Sequence, residues 1–502
     1  MPEILSTINL LRNIGNGIGQ VELDRGGHWS QDHHIWVDKK FPLVLKNLPQ
    51  PESKYAEVLG EIGLIIGQLF TRQLNDASEG KMWPREVFET GGVEKLITAT
   101  KSNPSIEDPF SLISNGLNNP TIPYSQEYFS GLDRLIQQFQ LALQISDSPS
   151  AQDHAKYFRA LIEAYTSHQG QSDLGYMEAA DTKWVGIPSN SSFLIFAEPT
   201  EVYHDPAREK LGQEPEIVGW ANRVADKNGL GPWRPFFEFR LLMKDESMIT
   251  EEEIQTIRKK SRELYGQPED KEVPVSLEFR RLLLSSGNGA HPAKTAKNYP
   301  NFEQIRDRVG YKNVLYTNMI EEGTLTQVIP VLKAVFGEQA INQFDEQLLV
   351  RGSSLRIVGH EENHPFERFR DTPLEELKST VNGIKTIIES GRFSEDDINA
   401  VMLTEIGAAL YGRQQMNQAR KTDNRSMQTG LEGYYKGDTI LINYLIEKHC
   451  FKGEKIDFTA LKSSFIKLAE FLKEVHNGNQ KLAIPKVYSH YYNEDVWKNF
   501  NI

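Results

Sequence analysis

Apolar residues recur at three- and four-residue steps along YAEVLGEIGLIIGQLFTRQL (Tyr55–Leu74) and FSGLDRLIQQFQLALQI (Phe129–Ile145), the spacing of one buried helix face. Turn-rich segments, KSNPSIEDP and SNGLNNPTIP, punctuate them, and the first 170 residues read as mostly helical. The pattern changes near Trp184. WVGIPSNSSFLIFAEP and VPVSLEFRRLLL (Val273–Leu284) carry short apolar runs rich in β-branched and aromatic residues, which predicts strands. From about Asn301 helical periodicity returns, most clearly in GTLTQVIPVLKAVFG, LEELKSTVNGIKTIIES and FTALKSSFIKLAEFLKEVH. The expectation is a mainly α protein with a smaller β-containing portion (α+β). It has two parts, a helical N-terminal one with some strands over 1–215 and a mainly helical one over 216–502.

Composition narrows the classes. Five hundred and two residues, with 39% hydrophobic and 25% charged, are enough for a sizeable core and for roughly two to four domains or one large two-part unit. Sixty-nine acidic residues against 56 basic ones leave no electrostatic footprint for nucleic acid. The lone Cys450 excludes an intramolecular disulfide and a cysteine-based zinc knuckle. No window approaches a membrane span, and MPEILSTINLLRNIGNGIGQ is a poor signal peptide, so a cytoplasmic soluble protein is expected.

One constellation carries chemistry. His360-Glu361-Glu362-Asn363-His364 is a complete H-E-x-x-H, which on a helix puts both imidazoles on one face and Glu361 beside the first as a general base. A catalytic zinc needs a third ligand. Thr372-Pro373-Leu374-Glu375 has the form of a capping box, with Thr372 as N-cap and Glu375 reaching back to it, which frees Glu376 to bind metal. Pro365 directly after the second histidine predicts that the helix ends at His364. By themselves the same residues also fit two histidines on a solvated turn and a plain helix start. RKKSREL (Arg258–Leu264) reads as a solvated helix face, and the glycine-rich stretches at Gly15–Gly19 and Gly287–Thr295 as turns.

Longer segments add a resemblance. NYPNFEQIRDRVGYKNVLYTNMIEEG (Asn298–Gly323) and AEPTEVYHDPAREKLGQEPEI (Ala197–Ile217) resemble segments of the dipeptidyl peptidase III family of zinc metallopeptidases. LEELKSTVNGIKTI (Leu374–Ile387) and LEGYYKGDTILINYLIEKHCF (Leu431–Phe451) are similar to later blocks of the branch found fused to Nudix hydrolase domains. The residues before Trp184 match only in helical texture. The resemblance implies two lobes separated by a cleft, and one Zn2+ held by His360, His364 and Glu376, with Glu361 activating water. It implies that Tyr203 hydrogen-bonds the scissile carbonyl, although that tyrosine also fits simple packing against the Asp205-Pro206 loop. Asn298 and Asn301 fit binding of a peptide backbone under the resemblance, although asparagines beside Pro300 are more commonly turn-formers.

Three positions depart from the family pattern. Pro365 stands where the family has glycine. Thr380 stands where it has an acid that orients a histidine, a loss that weakens metal affinity or activity. Tyr434, or Tyr435 with a one-residue slip, stands where it has a histidine. The expected function is a zinc-dependent exopeptidase acting on short peptides. The alternatives are a non-catalytic peptide-binding relative, or a metal enzyme of small-molecule metabolism using Fe2+, since two histidines and a carboxylate also suit non-haem iron. The expected partner is a short peptide or small-molecule substrate, with no nucleic acid and no membrane.

Overall fold

A computed structural model describes residues 21–78, 129–166, 174–200, 236–288, 296–300 and 308–500, apart from 25, 31–33, 246–247, 267–274, 365–368, 370 and 423–424. The chain divides into two compact units and passes between them more than once. Among the described residues the first unit holds those up to 200, 236–245 and 275–319, and the second holds 248–266 and everything from 320 onward.

Among the described residues the first unit is built on one eight-stranded sheet. Its strands are β1 (Val21–Asp24), β2 (Gly27–Ser30), β3 (Ile35–Asp38), β4 (Phe193–Thr200), β5 (Phe236–Lys244), β6 (Val275–Gly287), β7 (Ala296–Tyr299) and β8 (Tyr311–Tyr316). The path runs β1-β2-β3-β6-β5-β4. The long β6 is its hub. One edge of β6 pairs with β5, while the other is shared between β8, parallel along Val275–Arg280, and β3, antiparallel along Leu284–Ser286. Leu282, Leu283 and Leu284 are wholly buried, as a strand covered on both faces requires. Helices α1 (Gln50–Ser78), α2 (Phe129–Gln144), α3 (Pro149–Thr166) and α4 (Leu174–Val185) belong to this unit, and α1 lies against β5 and β6. The charges buried in the sheet are paired, as burial demands: Glu278 lies 2.7 Å from Arg280 and 2.5 Å from Lys312.

Two expectations are corrected here. The division at residue 215 does not hold, because β5 to β8 hydrogen-bond into the same sheet as β3 and β4, and non-local strand pairing leaves no mark in local periodicity. The helical reading of the first 170 residues also misses β1 to β3, whose four residues each are too few to show a period of two.

Among its described residues the second unit is helical, apart from a two-stranded ribbon at Phe451–Lys452 and Lys455–Ile456. It contains α5 (Glu251–Leu264), α6 (Glu346–Asn363), α7 (Thr372–Glu389), α8 (Glu395–Lys421), α9 (Arg425–Glu447), α10 (Phe458–Asn477) and α11 (Gln480–Tyr491). Between β8 and α6 the chain forms Thr317–Gly323, a π-helical stretch Thr324–Val328 and Ile329–Phe336. The α6 helix starts where Asp345 accepts a hydrogen bond from Leu348 N–H at 2.7 Å, and it is the helix against which α5, α7 and α8 pack. Arg351 on α6 fixes that packing by donating to Glu253 at 2.6 Å and Asp397 at 2.7 Å. Those two carboxylates close the capping boxes of α5 and α8.

The α6–α7 crossing is unusually close, and glycine allows it. A Cβ on Gly383 would sit 2.5 Å from the carbonyl carbon of Gly359 and 2.7 Å from His360 N, both backbone atoms that cannot swing aside. On helix propensity alone alanine would be favoured there by about 0.8–1.0 kcal/mol. The overpacking reverses that sign. We expect Gly383→Ala to cost roughly 3 kcal/mol and to lower the melting temperature of this unit by about 6–12 °C. A thermal melt of the metal-free variant checks this, and an unchanged or higher melting temperature would contradict it.

Candidate metal centre

The crossing at Gly359 places the last turn of α6 against the first turns of α7. His360 and His364 share one face of that turn, their rings 4.5 Å apart and nearly perpendicular. The α6 helix ends at Asn363 with His364 as its C-cap, still in helical geometry, so the second imidazole keeps its place on the face. Opposite them, Glu376 Oε2 lies 3.3 Å from His360 Nε2 and 3.5 Å from His364 Nε2. Two ligands at zinc-ligand distance on a tetrahedral ion are roughly 3.3 Å apart, so Glu376 Oε2 stands at ligand spacing from each imidazole, and ligand atoms of the three residues all lie within 4.8 Å of one another. Glu376 Oε2 is also buried with no hydrogen bond of good geometry, as expected of an oxygen whose partner is an ion. Among the described residues this is the one group of three or more His, Cys, Asp or Glu side chains that could hold a metal. The donor set therefore fits zinc.

Neighbouring side chains fix the ligands. Each imidazole turns Nε2 toward Glu376, which assigns the Nδ1 hydrogen to the other side. Thr380 Oγ1 lies 2.9 Å from His360 Nδ1, and Ser379 Oγ lies 3.2 Å from His364 Nδ1. Thr380 thus partners His360 with a hydroxyl where an acid was expected to be missed. The start of α7 also differs from the sequence reading. Its N-cap is Asp371, which accepts from Leu374 N–H at 3.1 Å and from the Tyr488 hydroxyl at 2.8 Å. An aspartate one residue upstream takes the capping role expected of Thr372, and the capped amide moves with it from Glu375 to Leu374. Glu375 reaches back past the cap to Phe369 N–H at 2.7 Å, and its other oxygen accepts from the buried Lys378 at 2.8 Å.

The α5 helix braces α6 and α7. Arg258 forms a two-pronged ion pair with Glu362, at 2.9 and 2.7 Å, and Asn363 donates to Ser261. Asn382 on α7 donates to Tyr265 just past the end of α5. The stretch expected to be a solvated face is therefore solvated on one side only, because helical periodicity turns Arg258 and Ser261 inward.

Comparison with known proteins gives the fold. No protein-family model and no curated protein matches the sequence. Among solved structures, DPP III from Caldithrix abyssi matches with a TM-score of 0.59 and 16% identity, over 99% of this chain and 93% of that one. Dipeptidyl-peptidase III from Corallococcus sp. strain EGB matches with a TM-score of 0.50 and 17% identity, over 81% of this chain and 74% of that one. The fold is dipeptidyl-peptidase-III-like. At these identities the likeness establishes the α+β architecture, and the chemistry rests on the residues themselves.

The remaining expected site residues fall in several places. Glu361 is half-buried beside His360 on α6. Tyr434 is 55% exposed on α9, one turn before Gly437, where that helix closes on the carbonyl of Pro373. Tyr435 is buried, with its hydroxyl accepting from Arg413 and its ring stacked on Trp497, which leaves Tyr434 as the accessible one of the two. Asn298 lies on β7 in the first unit, opposite Asn313. Tyr203, Asn301, Pro365 and Gly15–Gly19 lie outside the described residues. The sequence reading missed Ser379, Lys378 and Asp438. Ser379 could have been found, since Glu376, Ser379 and Thr380 stand at the i, i+3, i+4 spacing of one helix face. Asp438 lies one turn beyond Tyr434, and burial together with the charge of Glu405 pushes its carboxyl well above the usual range, with Arg356 opposing and Glu376 adding to the rise.

Electrostatics in the metal-free centre follow from the same contacts. Burial disfavours a charged His364, but the carboxylates of Glu375 and Glu376, with Glu361 nearby, override it and push the imidazole up to about 10. Burial likewise opposes ionisation of Glu376, and the two imidazoles override it, holding the carboxyl well below its usual range. At neutral pH the metal-free site therefore holds a proton on His364 that a metal must displace. We expect zinc binding at pH 7.5 to release about one proton per chain, and zinc affinity to rise with pH through the neutral range. Calorimetry in two buffers of different ionisation enthalpy measures this. No proton release, or affinity falling as pH rises, would contradict it.

Proposed function

We propose that the protein is a zinc-dependent metallopeptidase of the dipeptidyl-peptidase type, removing short units from peptides bound in extended form. The observation that carries the reading is the convergence of His360 Nε2, His364 Nε2 and an otherwise unpartnered Glu376 oxygen, with Glu361 next to the first histidine. The names of the structural neighbours support it.

His360, His364 and Glu376 hold the zinc, and the Glu376 carboxylate offsets part of its charge. When bound, zinc supplies Lewis acidity toward a peptide carbonyl and toward water. Glu361 takes the proton from the attacking water and later delivers it to the leaving amine, a general base becoming a general acid. Thr380 and Ser379 keep the Nε2 lone pairs of the histidines directed at the ion. Two phenols enter from the resemblance. Tyr203 hydrogen-bonds the carbonyl oxygen as it gains charge, and Tyr434 donates a hydrogen bond where the family has a histidine. A phenol makes a weaker donor there, because it does not become a cation near neutral pH.

The test is cleavage of dipeptidyl amides of a fluorogenic amine by zinc-loaded protein, alongside Glu361→Gln. We expect turnover by the wild type and a loss of about 10²–10⁴-fold in the variant, with zinc content unchanged. Full activity in Glu361→Gln would overturn the role of Glu361. Peptides bound and recovered intact would make the protein a binding relative. Turnover needing Fe(II) and dioxygen would assign the centre to iron chemistry.

A further inference from the structure

The two histidines are held from behind by unequal partners. His360 Nδ1 has Thr380 Oγ1 at 2.9 Å as its hydrogen-bond partner among the described residues. His364 Nδ1 has two groups in reach, Ser379 Oγ at 3.2 Å and Glu375 Oε1 at 3.5 Å. That glutamate is already engaged: Lys378 Nζ donates to Oε1 at 2.8 Å and Phe369 N–H to Oε2 at 2.7 Å. Lys378 is 1% exposed and also reaches the carbonyl of Asn363 at the end of α6. A buried ammonium thus balances the charge of the one carboxylate behind a ligand. The groups that touch the imidazoles most closely are two neutral hydroxyls, on the same helix face as the ligand Glu376.

We propose that Ser379 and Thr380 are the positioning residues of this metal centre, and that Thr380 is the dominant one because its histidine has no substitute partner among the described residues. This rests on the reading that the centre binds zinc. One turn of α7 then supplies both a ligand and the two acceptors that fix the other ligands. A hydroxyl accepting from Nδ1–H selects the tautomer with a lone pair on Nε2 and sets the ring's rotation. It adds no charge, so it orients the ligand without raising its basicity as a carboxylate would. Losing Ser379 leaves His364 the Glu375 oxygen to turn to. Losing Thr380 leaves His360 Nδ1 with no second partner among the described residues.

The experiment is zinc affinity by competition with a chromophoric chelator for wild type, Thr380→Val, Thr380→Ser and Ser379→Ala. Cobalt(II) spectra report the ligand geometry, and melting of each metal-free protein reports folding. We expect Thr380→Val to weaken zinc binding by about 10–100-fold and to broaden or lose the tetrahedral cobalt bands, with metal-free melting close to wild type. Thr380→Ser keeps the hydroxyl and should stay near wild type, and Ser379→Ala should lose less than Thr380→Val. Wild-type affinity in Thr380→Val, a loss in Thr380→Ser as large as in Thr380→Val, or a larger loss in Ser379→Ala would each overturn the proposal. If Thr380→Val does not fold, the ordering of Thr380→Ser and Ser379→Ala decides. A wild-type protein that takes up no zinc would overturn the zinc reading itself, which is distinguishable from zinc uptake indifferent to Thr380.

Discussion

The candidate centre depends on how closely two helices approach. Gly359 and Gly383 bring the backbones of α6 and α7 into contact one residue before His360, and that contact sets where the first turns of α7 meet the last turn of α6. The carboxylate of Glu376 reaches both imidazoles, and the hydroxyls of Ser379 and Thr380 reach their far sides, because the helices touch at that point. A similar approach at Gly352, where a Cβ would lie 2.7 Å from the backbone of Ala400, seats α6 on α8. Close-packed interiors yield little to an added methyl, so the small residues of α6 determine the geometry of the site as firmly as its ligands do.

Charge is arranged around that contact so that each buried ion has a counterpart. Arg258 meets Glu362, Arg356 meets Glu405 at 2.9 Å, and Lys378 meets Glu375. Without metal, the carboxylate of Glu376 is balanced by a protonated His364, and a divalent cation bound there would take over that part and displace the proton. The metal-free and metal-loaded proteins can thus share one packing of α6 and α7. Preorganisation of this kind keeps ligand atoms near their working positions before the ion arrives.

What was legible in the sequence was what local pattern carries. The long helices follow from periodicity and β6 from its apolar run; the histidine pair could be named from spacing, whereas Glu376 came from a capping-box reading whose cap the structure moves to Asp371, and from the resemblance. The weak, low-identity likeness to solved structures agrees with a resemblance read from a handful of segments. What escaped depends on contacts between distant parts of the chain. The pairing of β3 with β6 joins residue 35 to residue 286, and no window of sequence contains it. The inward turn of Arg258 needs Glu362, which lies 104 residues away. Asp371 displaced Thr372 as N-cap because two good capping residues stand side by side and only the folded entry angle of α7 chooses between them. Thr380 was read as the loss of an acid, whereas its hydroxyl meets His360 because the crossing brings the helices near enough for a short side chain to span the gap.

The central claim is that two imidazoles and one carboxylate from touching helices hold a single zinc ion. X-ray absorption at the zinc edge of the loaded protein tests it most directly. The account predicts one ion per chain in a low-coordinate nitrogen and oxygen shell at about 2.0–2.1 Å, with outer scattering from two imidazole rings that disappears in a His360→Ala, His364→Ala variant. A shell without imidazole scattering, or the same spectrum from wild type and variant, would contradict it.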